Sequence, residues 1–427
     1  MTRHSPTPKP AAPPRPSQGV EVIVVGAGVI GLTIALRLAD AGRRVVLIDP
    51  EVPGSGASHG NAGTIADYAT APVGTPDVLR DLPRLLTDRH SPLAIHRPSL
   101  VSLVPWLARF LHQSLPARAA ANAAALAALL SDAGPLWTAL ADRVGARALL
   151  QDRGCLYLYA TLAEAKAAEP GLAARRALGV EVDRIDAAAL AALEPGLPPF
   201  PGGAAFFRRA QFITDPGAMM AALTRAVQVA GVEVVRGRVT HLERTAVGVV
   251  VKGPGLLRTS RCVVIAAGAR SRALARIAGD KVPLDTERGY HLEWDMDQPP
   301  VTRPACPVAR GFYLCPMAGR LRVAGTVELG GLDAAPSPHR LTRLAEGARA
   351  LFPALGEPDR SWMGLRPSMP DSLPVIGPSK GGAQVIHAFG HGHIGLTLAP
   401  RTAAFVADLI AGRDPGPAIT PCLPTRF

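Results

Sequence analysis

The apolar positions of the chain switch between two spacings. Glu21-Val22-Ile23-Val24-Val25 is a short β-branched run, the mark of a strand buried on both faces of a parallel sheet. Leu32 to Ala41 then carries apolar residues at helical spacing, and Gly42 closes that helix as a left-handed cap. Arg44 to Ile48 reads as a second strand. Residues 76 to 204 read as mostly helical, with Ala-rich amphipathic stretches broken by Pro. Within them only Gly154 to Ala160 alternates, setting Leu156 and Leu158 against Tyr157 and Tyr159. Thr214-Asp215-Pro216 is a helix start, a capping side chain followed by Pro at the first helical position. It predicts a helix to about Ala230, ended by Gly231, and then a strand from Val232 to Arg236. Val239 to Leu242 and Gly248 to Val251 read as a small β-meander, and 261–269 as a further buried strand ending in small residues. Lys281 to Trp294 and Phe312 to Val327 read as strands of another sheet, signalled by Tyr290, Leu292 and Trp294, then by Tyr313, Leu321 and Val323. A strand from Gln384 to Ala388 precedes a glycine-rich turn and a last helix from about Leu398 to Gly412.

Between the first strand and the first helix lies Gly26-Ala27-Gly28-Val29-Ile30-Gly31. Gly26 permits the tight turn, Gly28 lets a pyrophosphate approach the backbone, and Gly31 lets helix and strand pack closely. The phosphates would meet the unpaired N–H groups and the positive end of the helix. The second strand ends in Asp49, where a carboxylate can take both hydroxyls of an adenosine ribose and disfavours a 2′-phosphate. FAD and NAD share this opening. The small-residue loop after the second strand, Gly56 to Gly63, can lie flat against a large planar ligand. Its Ser58-His59-Gly60-Asn61-Ala62-Gly63 can donate N–H groups to it. A chain that returns to the nucleotide fold some two hundred residues later has an interleaved architecture.

Composition narrows the picture. A hydrophobic share of 48% and a charged share of 19% are those of a globular chain, not a disordered or fibrous one. The net charge of +12 invites a nucleic-acid reading, but the arginines are scattered and no recognition motif accompanies them. The basic surface also allows contact with an anionic membrane face. The five cysteines form no C-x-x-C pair and have no zinc spacing to His, so they read as small buried hydrophobes in a reducing compartment. The first nineteen residues are polar and Pro-rich, without an apolar core, and read as a disordered tail, not a signal peptide. The apolar run Ala119 to Leu130 is short and alanine-dominated, which leaves a soluble or peripherally attached chain, expected in the cytoplasm or on the inner face of the cell membrane.

Taken together, the motifs resemble the D-amino-acid oxidase and glycine oxidase superfamily of FAD enzymes over nearly all of residues 20 to 412. The carriers are GAGVIG (Gly26 to Gly31), GASHGNAG (Gly56 to Gly63), CVVIAAGARS (Cys262 to Ser271), ERGYH (Glu287 to His291), GLRPSMPDSLPVIG (Gly364 to Gly377) and AFGHGHIGLTLAP (Ala388 to Pro400). The chain looks most like bacterial D-amino-acid dehydrogenases, and among them the hydroxy-D-proline type. The resemblance implies an α/β fold: a Rossmann-like FAD-binding domain interleaved with a smaller α+β substrate domain on a mostly antiparallel sheet. It assigns 20–75, 205–280 and 360–415 to the first domain, 76–204 and 281–359 to the second, and 416–427 to a C-terminal tail. It adds Val239, Ala267, Gly268, Gly364, Gly392, His393, Ile394, Gly395, Leu396 and Thr397 to the residues that hold FAD. It places the substrate carboxylate on Arg366, whose guanidinium fork fixes a carboxylate plane, with Tyr290 as a second hydroxyl donor. Glycine oxidases carry an Arg where this chain writes His391 and His393; His393 is thereby a candidate substrate contact. Some relatives tether flavin through Cys, which draws attention to Cys315. The implied reaction is oxidation of a small D-amino or imino acid by hydride transfer from Cα to flavin N5, without a metal. Electrons then pass to a quinone, another carrier or oxygen. A sarcosine- or glycine-type amine oxidase and an FAD-linked 2-hydroxy-acid dehydrogenase are the competing readings.

Overall fold

A computed structural model describes residues 21–87 and 93–427; the N-terminal segment read as a tail lies outside them. All counts below refer to the described residues. The β-branched runs assemble into a six-stranded sheet in the spatial order Glu233–Arg236, Val45–Asp49, Val22–Val25, Cys262–Ile265, Gly382–Phe389 and Val375–Ser379. The first five are parallel and the last is antiparallel. Burial on both faces explains their near-continuous apolar composition. Helices Val29–Asp40, Pro216–Val229 and Gly395–Ile410 cover one face, and the three-stranded sheet spanning His241–Ser260 covers the other. Asp215 caps the second of these helices, its Oδ1 accepting from Ala218 N at 2.9 Å.

The second domain is a nine-stranded, mostly antiparallel sheet centred on Asp285–Asp295, Arg320–Leu329 and Phe312–Met317. Helix Pro338–Arg349 packs on one face, where Tyr290, Leu292, Trp294, Phe312, Leu314, Leu321 and Val323 make a core with Leu344 and Ala348. The opposite face looks toward the first domain. Two side chains from it grip the loop after the second strand: Arg322 Nη1 donates to Asn61 O, and His291 Nδ1 donates to Gly60 O at 2.9 Å.

The structure moves several expected boundaries. Arg360–Ser368 is not part of the nucleotide domain; it pairs antiparallel with Asp285–Asp295 and forms the edge of the second sheet. Phe312 to Val327 is a hairpin turned at Gly319. Helices Pro116–Leu130 and Ala133–Arg143 belong to the first domain's core, with Trp137 Nε1 donating to Leu396 O at 2.9 Å. Pro116–Arg143 is long and apolar enough by composition to cross a membrane. Its Leu126, Leu129, Leu130 and Trp137 are nevertheless buried in that core. Residues 416–427 are no tail: Ile419 and Cys422 are buried, and Arg426 Nε meets Asp371 Oδ2 at 2.8 Å.

Candidate functional site

One cavity of about 580 Å³ runs from the first βα turn to the second sheet. At its nucleotide end Gly26 adopts φ 108°, and a Cβ on Gly31 would lie 1.8 Å from Gly26 O, so that crossing admits only glycine. Gly31 therefore supports the turn from behind and does not border the cavity. No side chain caps helix Val29–Asp40 through Gly28, and only Val29 N finds one nearby, donating to Ser58 Oγ at 2.9 Å. The remaining first-turn N–H groups have no intrahelical acceptor, which is the arrangement that binds a pyrophosphate. Asp49 borders the same end. Its Oδ2 accepts from Ala27 N at 2.7 Å and its Oδ1 from Glu51 N at 2.8 Å, which fixes the carboxylate and leaves each oxygen a lone pair for a ribose hydroxyl. Val239, Ala267 and Gly268 complete that wall.

The loop through Ser58, Gly60, Asn61, Ala62 and Gly63 forms the middle of the cavity wall. It braces itself: Asn61 Nδ2 donates to Ser58 O, and Asn61 Oδ1 accepts from Gly63 N at 2.6 Å. His59 does not join it. Its ring is exposed and lies over Gly217 at the start of helix Pro216–Val229, outside the cavity. Facing the loop is a second helix start without a side-chain cap, at Gly395, with Gly392, His393, Gly395 and Leu396 on the wall. Ile394 and Thr397 turn away from it. Ile394 is buried in the first domain's core, and Thr397 Oγ1 is spent accepting from Ala66 N at 3.0 Å.

At the far end stands Arg366, beside Gly364 on the edge strand. Its guanidinium lies across Gly289 of the neighbouring strand, where a Cβ would come within 2.5 Å of Nη2. Arg366 forms no ion pair or side-chain hydrogen bond with any described residue. Burial lowers its pKa, and the nearest opposing charge is Glu287, directly across the strands. Burial in turn raises the Glu287 carboxyl, against the pull of Arg366 and Ser368. His393 presents its ring to the cavity. Desolvation and then the charge of Arg366 hold it down at about 4, so it is a neutral imidazole at ordinary pH. His391 is buried, is pushed down to about 3 by desolvation, and shares a 2.9 Å hydrogen bond with Thr402 Oγ1.

Tyr290 is not a second donor to a ligand carboxylate. It touches the cavity wall, but its hydroxyl donates to Glu328 Oε2 at 2.5 Å and accepts from Ser337 N at 3.1 Å. Glu328 is also paired with Arg288 at 3.0 Å. The Tyr290 proton is committed to this internal network and is not available to a ligand. The hydroxyls that border the substrate end come from Tyr68, Tyr157 and Tyr313. Tyr68 donates to Cys155 Sγ at 3.1 Å, whereas Tyr157 and Tyr313 share one hydrogen bond of 3.0 Å between their oxygens. Two hydroxyl protons and one mutual bond leave one proton free. Burial raises both phenols above their ordinary range, so they stay protonated. Thr326 also borders this end at φ 57°, as the unpaired residue where the register between the two central strands slips. Cys315 is buried off the cavity, opposite Arg322, and burial pushes its thiol up to about 12, so it is not a tether for flavin. Among the described residues no cluster of metal-ligating side chains forms.

The residues fit FAD. Uncapped helix starts at Gly28 and Gly395 face one cavity that is continuous from the Asp49 carboxylate to the Arg366 guanidinium. A dinucleotide-length ligand with phosphates at the first helix and a flat ring at the loop would satisfy both. Comparison with known proteins agrees. A family profile described as FAD dependent oxidoreductase matches residues 21–409. The chain is 35% identical to a D-amino-acid oxidase of Bradyrhizobium diazoefficiens over 96% of its own length and 99% of that protein's. It is 30% identical to a D-amino acid dehydrogenase of Dechloromonas aromatica over 93% and 98%. In fold it is similar to the glycine oxidase of Geobacillus kaustophilus, with a TM-score of 0.77 at 24% identity, covering 95% of this chain and 98% of that one. The chain belongs to the DAO family of FAD-dependent oxidoreductases.

Proposed function

We propose that the protein oxidises a small, neutral D-amino or D-imino acid, of the D-proline, hydroxy-D-proline or D-alanine class, at its α-carbon. The observation that carries this reading is the Arg366 guanidinium, held inside the cavity across Gly289 without an ion-pair partner among the described residues. A guanidinium enclosed in a cavity wall with no direct ion-pair partner is unfavourable, and a carboxylate that accepts two parallel N–H bonds relieves it. The free proton of the Tyr157–Tyr313 pair supplies a neutral donor to the same ligand. Relatives named for D-amino acids support the stereochemistry.

The amino group meets a different environment. Among the described residues that line the cavity, carboxylates occur only at the nucleotide end, as Asp49 and Glu51. At the Arg366 end the nearest carboxyl is Glu287, which faces Arg366 and does not line the cavity, and His393, held at about 4, is too weak a base to keep a proton at ordinary pH. Desolvation beside a fixed positive charge therefore favours the neutral amine, whose lone pair is needed when Cα gives up a hydride. Bound FAD supplies the two-electron acceptor. Arg366 and the tyrosine pair fix the plane of the acid, so that one Cα–H is presented and the other substituents are held against the aromatic wall. Loss of the hydride and of the N–H proton leaves an imine, or a cyclic pyrroline from a proline-like substrate. With no carboxylate on the cavity wall at this end among the described residues, lysine- or arginine-like side chains are disfavoured as well.

The test is anaerobic bleaching of the protein-bound flavin by D- and L-proline, the hydroxyprolines, D-alanine, glycine and sarcosine. The D-amino and D-imino acids should bleach it fastest. Bleaching by sarcosine or glycine alone, or by the L-series alone, would overturn the assignment. Readmitting oxygen or a quinone to the bleached protein then identifies the acceptor.

A further inference from the structure

Helix Leu100–Gln113 is apolar on two faces. One face buries Leu103, Trp106 and Phe110 with Leu329, and Trp106 Nε1 donates to Ser368 O on the strand that carries Arg366. The other face is open. Val101 is 84% exposed, Val104 55% and Leu111 37%, and Leu115 follows at 45% just beyond the helix end. Their spacings of three, seven and four residues place them on one side of the helix as a continuous stripe. Val73, 41% exposed, precedes Gly74, which packs on Phe110 of the same helix. A helix that serves only as a lid on a core turns polar residues outward, and an apolar stripe left open marks an interaction surface.

Charge identifies the partner. The sequence has no acidic residue between Asp88 and Asp132, a stretch that contains Arg97, Arg109 and Arg118. Arg109, on this helix, and Arg118, in the first turn of the helix that follows Leu115, are exposed, and neither forms an ion pair with a described residue. A second copy of the chain would bring the same basic face, on a molecule of net charge +12. The N-terminal segment offers no counter-charge either: residues 1–19 hold Arg3, Lys9 and Arg15 and no acid. An anionic lipid surface supplies both missing halves, acyl chains for the stripe and headgroup charge for the arginines.

We infer that the open face of helix Leu100–Gln113, with Leu115, Arg109 and Arg118, docks the protein on the surface of an anionic bilayer. The helix lies in the interface and does not span it. The docking face is built on the strand that holds the carboxylate-binding arginine, which sets the substrate end of the cavity close to the lipid.

The test uses the full-length, FAD-loaded protein with vesicles of phosphatidylcholine alone or mixed with phosphatidylglycerol. Sedimentation should show binding to the mixed vesicles that weakens as salt rises, with little binding to the neutral ones. The variant Val101→Ser/Val104→Ser/Leu111→Ser should bind at least about tenfold more weakly, with an unchanged melting temperature and unchanged flavin bleaching. Arg109→Gln/Arg118→Gln should weaken binding less and flatten its salt dependence. Wild-type protein that stays in the supernatant with mixed vesicles would overturn the inference, as would a triple variant that binds as wild type. So would a wild-type dimer in light scattering that the triple variant converts to monomer, because a second copy would then cover the face.

Discussion

Arg322 and Arg366 stand on the same sheet and receive opposite treatment. Arg322 is buried and saturated: it meets Glu293 Oε1 through Nη2 at 2.7 Å and donates through Nη1 to Asn61 O. Glu293 also binds Arg320 and Arg360, each at 2.9 Å. Burial pushes the Glu293 carboxyl up, and the three arginines more than reverse this, leaving it at about 2. Arg366 has no such partner, and Gly289 has no side chain to fill the space over which it lies. The first arginine locks the flavin loop to the second domain. The second is a charge kept available at the wall of a cavity. Whether an arginine is architecture or binding site is decided here by what completes its hydrogen bonds.

The comparison predicts opposite phenotypes. Arg366→Ala should lower kcat/KM by about a thousandfold or more, from the loss of two charge-assisted hydrogen bonds worth about 4 kcal/mol together. Its melting temperature should hold or rise, since no ion pair is broken. Arg366→Lys, which keeps the charge but not the fork, should recover only part of the activity. Glu293→Gln should do the reverse, costing about 3–5 kcal/mol of stability in a denaturant titration because it strands buried guanidinium charge. The sign with pH follows from a carboxyl held at about 2 in the fold against 4.5 when free. Its contribution of about 3 kcal/mol is fully present above pH 4.5 and is lost as pH falls toward 2. In Glu293→Gln that acid-limb loss should be missing.

Smaller effects separate the tyrosines. Tyr313→Phe should raise KM by about tenfold, the cost of one neutral hydrogen bond to the ligand, and lower stability by about 1 kcal/mol through the lost bond to Tyr157. Tyr290→Phe should leave kinetics unchanged and cost about 1–2 kcal/mol of stability, because its hydroxyl serves Glu328 and Ser337. If Tyr290→Phe raised KM and Tyr313→Phe did not, the assignment of the cavity face would be wrong.

These tyrosines also mark where sequence reading stopped. The nucleotide turn was legible because strand, glycines, helix and acid are contiguous, and local geometry needs nothing from the rest of the chain. The motif that singles out Arg366 does lie on the cavity wall. Tyr290 was misplaced although the alternation needed to exclude it was visible. Tyr290, Leu292 and Trp294 share one face, and that face packs on helix Pro338–Arg349. The same period of two puts Tyr313 opposite Phe312 and Leu314, on the cavity side. Tyr68 and Tyr157 reach the site only because distant segments pair: Cys155–Leu158 runs beside Ala305–Pro307, and Thr64–Ile65 pairs with Gln211–Ile213. The domain boundary near 360 failed for a related reason. Arg360–Ser368 is held by register with Asp285–Asp295, some seventy residues earlier, and no local pattern announces that pairing. His59, Ile394 and Thr397 lie inside correct motifs but point away, since a loop or helix start presents only some of its side chains to one side.

The most direct test is the dissociation constant of pyrrole-2-carboxylate, a planar acid that cannot be oxidised at Cα, read from the perturbed flavin absorbance of wild type and Arg366→Ala. The account predicts that the variant keeps its flavin but binds the acid at least about a hundredfold more weakly, while pyrrole without the carboxylate binds both proteins equally. Equal affinity of the acid for both proteins would contradict it.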